Sequence, residues 1–190
     1  MNHWIKLIAL MTIIPFLPLA ADWETSLEAR YATFYHTSPL FRKIYGNINH
    51  SYEVEAAIRT DNCPVSGWFN IDYSAPNGRA IGFDAKTSIQ TYNYSLGLSV
   101  SYPLCEKVIC YTGAGPNFST TILRNKSPIT NEKIFKYSTG AVFKLGIHYF
   151  FTDRLFLDIF TDYLLQSVKY EKRVDIGGFK FGIGVGIKFE

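Results

Sequence analysis

Charged residues recur at every second position in several segments whose intervening positions are apolar. If these side chains share one narrow interior, they could line a polar conduit or pair with one another as a structural network. A buried charge needs a partner of opposite sign, and so many long side chains leave little space for a solute, so we expect the network. The residues concerned are Glu24, Glu28, Arg30, Glu53, Glu55, Arg59, Asp72, Lys144, Asp158, Asp162, Lys180 and Lys188.

Histidine is the residue that a hydrolytic or acyl-transferring site would use, with a serine or a carboxylate beside it. Beyond the N-terminal segment, the histidines of the chain are His36, His50 and His148. Ser38 and Ser51 stand near the first two, whereas no serine lies two residues after His148. We therefore expect no catalytic residues. Since no ligand spacing typical of a metal site occurs, we also expect no metal and no cofactor.

Cys63, Cys105 and Cys110 could form one disulfide in an oxidising compartment. Cys63 and Cys105 fall at the same rim of two neighbouring strands in the scheme below, and Cys105 and Cys110 flank one turn. Either pair could bridge, and the third thiol would stay free or pair between molecules. The sequence leaves both pairings open.

The segment 36–50, HTSPLFRKIYGNINH, mixes aromatic and basic side chains and contains no acidic residue. Arginine and lysine favour phosphate groups, and loops on rigid scaffolds often carry function. We therefore expect Phe41, Arg42, Lys43 and Tyr45 to contact lipopolysaccharide or a partner surface. A solvated loop packed over the mouth of the fold is the alternative.

The elements that position these residues are strands with a two-residue alternation, because successive side chains of a strand point to opposite sides. The last segment is typical: Phe181, Ile183, Val185, Ile187 and Phe189 share one face, and lysines and glycines share the other. No charge falls on the apolar faces. The pattern occurs eight times, over residues 23–33, 52–59, 65–73, 95–102, 111–118, 140–149, 155–166 and 179–189.

Composition and facing together predict a membrane barrel. The chain contains 15 Phe and 13 Tyr, which favour strands. A soluble sandwich also alternates, but its polar faces meet water, where many glycines are unexpected. In a small membrane barrel, apolar side chains meet lipid, while polar and small ones fill the lumen. We predict an all-β, eight-stranded antiparallel up-and-down transmembrane β-barrel. A soluble, lipocalin-like carrier is the rival, and it would need an apolar lumen.

The connections between these segments alternate in length. Those at 36–49, 74–86, 124–133 and 169–178 are long, and those at 61–64, 103–107 and 152–154 are short. Transmembrane barrels have short periplasmic turns and longer external loops, so we expect the long connections outside and both termini in the periplasm. Pro116 lacks a ladder donor within the fifth segment, so we expect a bulge beside Gly115.

Residues 1–21 form a separate region. Lys6 precedes an apolar stretch from Leu7 to Leu19, and Ala20 and Ala21 supply small residues for cleavage, which is the layout of a secretory signal peptide. We expect a signal peptide over 1–21, cleaved after Ala20 or Ala21, and a barrel over 22–190. The net charge of +3 is spread along the chain, so nucleic acid is not an expected partner.

The signal peptide, the eight alternating segments and the C-terminal FKFGIGVGIKF together resemble the small outer-membrane barrels typified by the OmpA transmembrane domain and OmpX. The resemblance covers Trp23 to Phe189. It implies that Phe181, Ile183, Val185, Ile187 and Phe189 act as the signal for the barrel-assembly machinery. Here the chain departs from the pattern, because Phe189 is penultimate and Glu190 is last.

A barrel hosts unrelated activities, so several functions are compatible with it. We expect a non-enzymatic, monomeric protein of the bacterial outer membrane with an envelope-structural or surface-interaction role. Its expected partners are outer-membrane lipid and lipopolysaccharide, the assembly machinery, and a host or surface ligand bound through the loops. A narrow channel for small solutes and a lipid A-modifying enzyme are the alternatives.

Overall fold

Aromatic and β-branched residues in two-residue alternation favour extended backbone, and the structure, a computed structural model, consists mostly of strands. It describes residues 23–60, 63–79, 86–126, 131–169 and 173–189, so the predicted signal peptide over 1–21 lies outside the described residues. The strands are β1 (Trp23–His36), β2 (Ile48–Thr60), β3 (Val65–Ser74), β4 (Asn77–Arg79), β5 (Lys86–Cys105), β6 (Val108–Lys126), β7 (Asn131–Phe150), β8 (Leu155–Lys169), β9 (Arg173–Asp175) and β10 (Gly178–Phe189).

A helix, α1 (Pro39–Tyr45), lies between β1 and β2. The side chain of Ser38 caps its N-terminus by accepting a hydrogen bond from the backbone of Phe41, and Pro39 occupies its first turn. Gly46 ends the helix with a positive φ of 89°, which glycine adopts most readily. None of the described helical segments is long and apolar enough to cross a membrane.

Eight strands form a closed antiparallel ring. Each strand of the series β1, β2, β3, β5, β6, β7, β8 and β10 pairs with the next one. The ring closes because β10 pairs with both β8 and β1, with Phe189 opposite Thr25 and Gly178 opposite His36. All eight predicted segments fall within these strands, and the predicted eight-stranded antiparallel barrel is confirmed. The short strands β4 and β9, which pair with β5 and β8, were not predicted.

The barrel has its apolar face outside and its charged face inside. Leu98, Leu145 and Val185 are 64%, 55% and 60% exposed, whereas Arg30 and Asp158 are buried. The predicted assembly-signal residues follow this rule, since their side chains lie on the outer face of β10. Such an inverted arrangement is that of a barrel surrounded by lipid.

The two ends of the barrel differ in construction. The terminal rim contains Trp23, Phe189 and the connecting residues 63–64, 106–107 and 151–154. The distal rim contains α1, β4, β9 and a hairpin formed by the long strands β6 and β7. Residues 131–139 of β7 pair with β6 but not with β8, so this hairpin extends beyond the barrel wall.

The prediction of a long connection at 124–133 is therefore wrong. β6 continues to Lys126 and β7 begins at Asn131, so only four residues separate the two strands. The polar sequence that resembled a loop pairs in register instead, with Arg124 opposite Lys133. Polar strands escape detection from alternation when both of their faces meet water.

Pro116 produces no register shift, contrary to the expected bulge. Ser95 pairs with Asn117 and Leu98 with Ala114 in one constant register, and only the pairs between them are missing. The register shift of this hairpin lies instead between Pro103 and Cys105. The missing donor of Pro116 thus interrupts the ladder without changing the alignment of the strands.

A side chain at Gly115 should disrupt this hairpin. A Cβ atom there would lie 2.7 Å from the Cα of Gly97 and closer still to the carbonyl oxygen of Leu96. We expect Gly115→Ala to lower the free energy of unfolding by about 1–3 kcal/mol, the usual cost of overpacking. Urea unfolding of the refolded protein, followed by its mobility shift on unheated gels, would measure this.

The matched control is Gly67→Ala on β3. A Cβ atom there meets Ile58 Cγ2 at 3.7 Å, which is an ordinary contact. This variant should unfold at or above the urea concentration of the unmodified protein, because alanine loses less backbone entropy than glycine. Equal midpoints for the two variants would contradict the close approach of β5 and β6.

Candidate functional site

Arg30 of β1 lies at the centre of the lumen and is 3% exposed. Its Nη1 lies 2.8 Å from Glu55, 3.4 Å from Asp162 and 3.5 Å from Glu53. Its Nε lies 3.3 Å from Asp158 and 3.5 Å from Glu28. The Phe160 ring lies 3.4 Å from the guanidinium carbon and covers its face. One guanidinium therefore contacts carboxylates from three strands, as its planar set of donors allows.

Two buried lysines complete the centre of the network. Lys180 of β10 donates to Glu53 at 2.9 Å and also to Asp72. Lys144 of β7 donates to Glu55. Since all three carboxylates belong to β2 and β3, Lys144 connects opposite walls of the lumen, and Lys180 reaches across β1 to the same two strands.

Neutral polar side chains satisfy the carboxylates further, and the sequence analysis did not select them. Asn70 donates to Glu53 at 3.0 Å and to Glu55 at 3.2 Å. Asn93 donates to Asp72 at 2.7 Å. Their inward positions in the alternation were the available signal, but which carboxylate each amide meets depends on the curvature of the barrel.

A separate group of charges lies at the terminal rim. Arg59 pairs with Glu24 at 2.8 Å, and Lys188 reaches the same carboxylate at 3.0 Å. These side chains are 15–25% exposed, so water reaches them. All twelve of the charged residues selected from sequence thus face the lumen, nine at its centre and three at this rim.

Apolar side chains fill the lumen beside the charges and toward the distal rim. Phe34, Trp68, Val142 and Leu164 form one buried cluster. Above it, Phe41 of α1 packs against Ile89, Val168 and Ile176. These inward apolar residues, like Phe156 and Phe160, were not expected in a lumen predicted to hold polar and small side chains.

The helix α1 covers the distal mouth. Tyr45 of α1 packs beside Phe41, and its hydroxyl lies 3.2 Å from the Thr87 hydroxyl. Burial raises the pKa of the Tyr45 phenol, and the hydrogen bond to Thr87 opposes that rise. Two cavities inside the lumen each measure about 10 Å³, which is room for a single water molecule.

The four residues predicted to make loop contacts differ in their exposure. Phe41 is 4% exposed and points into the barrel, so the prediction that it contacts a surface partner is wrong. Tyr45 is also half-buried, because α1 turns both rings toward the lumen. Arg42 stacks on the Tyr35 ring with its guanidinium carbon 5.2 Å from the ring centroid, and Lys43 is exposed.

The three histidines are in unrelated environments. His36 is buried between the rings of Phe34 and Phe41, and its Nδ1 lies 3.0 Å from the carbonyl oxygen of Ile176. His50 is exposed and its Nδ1 lies 2.6 Å from the Tyr31 hydroxyl. Ser38 caps α1 and Ser51 is buried against Glu53, so neither serine is paired with a histidine in the contacts described.

All three cysteines are free thiols in the structure, so neither predicted disulfide is formed there. The register explains the difference for one pair: Val65 pairs with Val100, while Cys63 precedes Val65 by two residues and Cys105 follows Val100 by five. The offset of three residues separates them by about 10 Å along the strands, which exceeds the span of a disulfide.

A group of basic residues lies on the outer surface near the distal rim, on β4, β5 and the hairpin of β6 and β7. Lys86 pairs with Arg79 on one side, and Arg124 pairs with Lys133 on the other. All four are exposed, and we call them the cationic face. Like charges that oppose each other across strands destabilise a sheet unless water or an anion offsets them.

Aromatic side chains lie directly below the cationic face on the same outer surface. Phe135 and Tyr137 follow Lys133 at two-residue spacing on β7 and are 49% and 79% exposed. The ammonium of Lys133 lies 4.6 Å from the centroid of the Phe135 ring.

No protein-family model matches the sequence, and no curated protein matches it. Solved structures share its fold. The outer membrane protein OprG of Pseudomonas aeruginosa superposes with a TM-score of 0.70 at 15% identity, over 90% of this chain and 97% of OprG. Neisserial surface protein A gives 0.58 at 17% identity, over 89% and 98% of the two chains.

Ail, the attachment invasion locus protein of Yersinia pestis, has a TM-score of 0.60 at 13% identity, over 88% of this chain and 99% of Ail. That structure holds the heparin analogue sucrose octasulfate. At such identities the likeness concerns the fold. It confirms that this chain has the fold of eight-stranded outer-membrane β-barrels, as its resemblance to them predicted.

Removing the central guanidinium should be costly. We expect Arg30→Ala to lower the free energy of unfolding by about 3–5 kcal/mol, because it leaves buried carboxylates without their partner. Urea unfolding of the refolded protein would measure the change. If Arg30→Ala does not fold, Arg30→Lys keeps the charge, loses the planar donors and should fold with an intermediate loss.

Arg59→Ala is the matched control at the terminal rim. Its ion pair with Glu24 is partly exposed, so the loss should be at most about 1 kcal/mol. If Arg30→Ala and Arg59→Ala lower the free energy of unfolding equally, the central network contributes no more to stability than an exposed ion pair.

Proposed function

We propose that this protein is an integral protein of the bacterial outer membrane with a non-enzymatic role at the cell surface. The terminal rim faces the periplasm and the distal rim faces outward. Three short connections lie at the terminal rim and the extended hairpin lies at the distal rim, which is the distribution that outer-membrane barrels have. The signal peptide over 1–21 and the assembly signal on β10 belong to the same proposal.

The closed lumen is the observation that carries this proposal. Nine buried charges occupy its centre, two apolar clusters fill space beside and above them, and α1 covers the mouth. Cavities of about 10 Å³ have room for a water molecule but provide no path for a solute. A barrel without an open lumen acts through its surfaces.

A planar bilayer that contains the refolded protein should therefore show no discrete conductance steps at neutral pH. The mobility shift of unheated samples on gels would first establish that the inserted protein is folded. Steps of reproducible size that track protein concentration would overturn the closed lumen and favour the narrow channel.

The cationic face indicates what the outer surface binds. Its guanidinium and ammonium groups lie just above exposed aromatic rings, so they fall at the level of the phosphate groups when those rings lie at the membrane interface. We infer that its partner is the phosphorylated lipid A region of neighbouring lipopolysaccharide. The complex of Ail with a polysulfated sugar supports this, since a barrel of this fold can hold a polyanion.

The double variant Arg124→Gln, Lys133→Gln should bind lipopolysaccharide about 30-fold more weakly, because each basic residue near a membrane surface contributes about 1 kcal/mol. Titration of the refolded protein in neutral detergent with lipopolysaccharide would measure the affinity. Dephosphorylated lipopolysaccharide should bind weakly to both proteins.

The control is Lys107→Gln, Arg154→Gln, which removes two exposed positive charges from the terminal rim. It should keep the original affinity. An equal loss in both double variants would attribute binding to net charge and contradict a site on the cationic face.

A further inference from the structure

The buried charges of the lumen do not balance. Six of them are carboxylates and three are cations. Lys144 contacts Glu55, and Lys180 serves both Glu53 and Asp72. Arg30 is left to serve the other three carboxylates in addition to its contacts with β2. Uncompensated carboxylates are costly in a medium of low polarity, so a further cation or bound protons would stabilise this part of the lumen.

The surplus is concentrated at one place near the terminal rim. Glu28 of β1, His148 of β7 and Asp158 of β8 each offer one atom that could bind a metal, and these atoms lie within 4.8 Å of one another. His148 and Asp158 are direct cross-strand partners. Gly184 of β10 lies between β8 and β1, and a Cβ atom there would collide with the Glu28 carboxylate.

One carboxylate oxygen of this group has no hydrogen bond. Glu28 is 5% exposed, and its Oε1 accepts no hydrogen bond in the described structure. The Nε of Arg30 lies 3.5 Å from this oxygen, but the same atom is closer to Asp158, at 3.3 Å. The remaining contacts of the guanidinium point to Glu53, Glu55 and Asp162. Arg30 is therefore shared too widely to compensate Glu28.

The other two members are already oriented. The Tyr111 hydroxyl donates to Asp158 at 2.9 and 3.1 Å and so holds that carboxylate in position. The Nε2 of His148 lies 3.6 Å from Asp158 Oδ1. The His148 side chain is 23% exposed, so an ion from the side of the terminal rim can reach it.

We propose that Glu28, His148 and Asp158 form a site for a divalent transition-metal ion of the zinc class. One imidazole and two carboxylates are a ligand set that zinc accepts, with a fourth position left for water. Ligand atoms around zinc lie about 3.4 Å apart, so the side chains close by about 1 Å on binding. The ion compensates two of the surplus carboxylates and ties β1, β7 and β8 together across the lumen.

Sequence spacing conceals such a site, because its three ligands come from three strands that are distant in the chain. The site is independent of the proposed role of the cationic face. Its test is therefore a binding measurement that needs neither lipopolysaccharide nor a membrane.

The experiment is a zinc titration of the refolded protein, freed of metal with a chelator and carrying serine at Cys63, Cys105 and Cys110, since thiolates also bind zinc. Calorimetry should give one zinc ion per chain, and cobalt should give the visible absorption of a tetrahedral site. In the same background, His148→Ala should bind at least tenfold more weakly. His50→Ala removes an exposed histidine on the outer face and should bind as before.

The variant Glu28→Gln tests whether Glu28 is a metal ligand or only a structural ion-pair partner. It should weaken zinc binding at least tenfold while leaving the metal-free protein no less stable to urea, because it removes a surplus charge. A less stable metal-free protein with normal zinc binding would make Glu28 a structural partner of Arg30 and overturn the site. Absence of zinc binding would also overturn it, and would leave protons as the compensating cations. Binding that survives His148→Ala would place the ion elsewhere and refute the proposal.

Discussion

The guanidinium of Arg30 contacts carboxylates of β1, β2 and β8 and so links three strands of the lumen wall. A closed ring of strands satisfies its own backbone, which lipid requires, but it leaves the side chains of the inner face to compensate one another. Here the compensation is electrostatic, with Lys180 of β10 and Lys144 of the opposite wall extending the network. The remaining structure preserves this geometry: glycines of β10 leave space beside Phe156, Phe160 and Glu28.

The lumen is filled by side chains of two kinds. Its charged centre consists of ion pairs and amide hydrogen bonds, which specify distances closely and tolerate little change. Toward the distal rim, an apolar cluster includes Phe41 of α1, which the barrel itself does not supply, and it lies beside buried polar side chains such as Thr91 and Gln166. Because these side chains fill the lumen, no open pore remains in the part of the barrel that the structure describes. Binding is therefore left to the two ends of the barrel and to its outer surface.

The strands on the two sides of the barrel also differ in length. β1, β2, β3 and β10 have 10 to 14 residues, whereas β5, β6 and β7 have 19 or 20. The longer strands carry the cationic face above the exposed rings of Phe135 and Tyr137. Repulsion between cross-strand cations is sustained there because the groups are exposed, while the same repulsion in the lumen would be prohibitive.

The sequence by itself determined the strands, their inner and outer faces and the inward placement of all twelve selected charges. These properties are local, because a period of two assigns each side chain to a face whatever its distant neighbours are. Alternation also placed the side chains of Phe156, Phe160 and Leu164 on the inner face, but they were overlooked because the interior was expected to be polar. The helix α1 had a local signal as well, in the order Ser38, Pro39 and Gly46.

Only the tertiary structure decided which charges meet. Register and curvature bring Arg30 to Asp158 and Asp162, more than a hundred residues away, and place Glu28, His148 and Asp158 around one point. The cationic face likewise depends on register, because Lys86 and Arg124 become neighbours only when β5 and β6 pair. Sequence periodicity contains no information about such pairs, since the energy that selects them comes from closing the ring and satisfying its buried charges together.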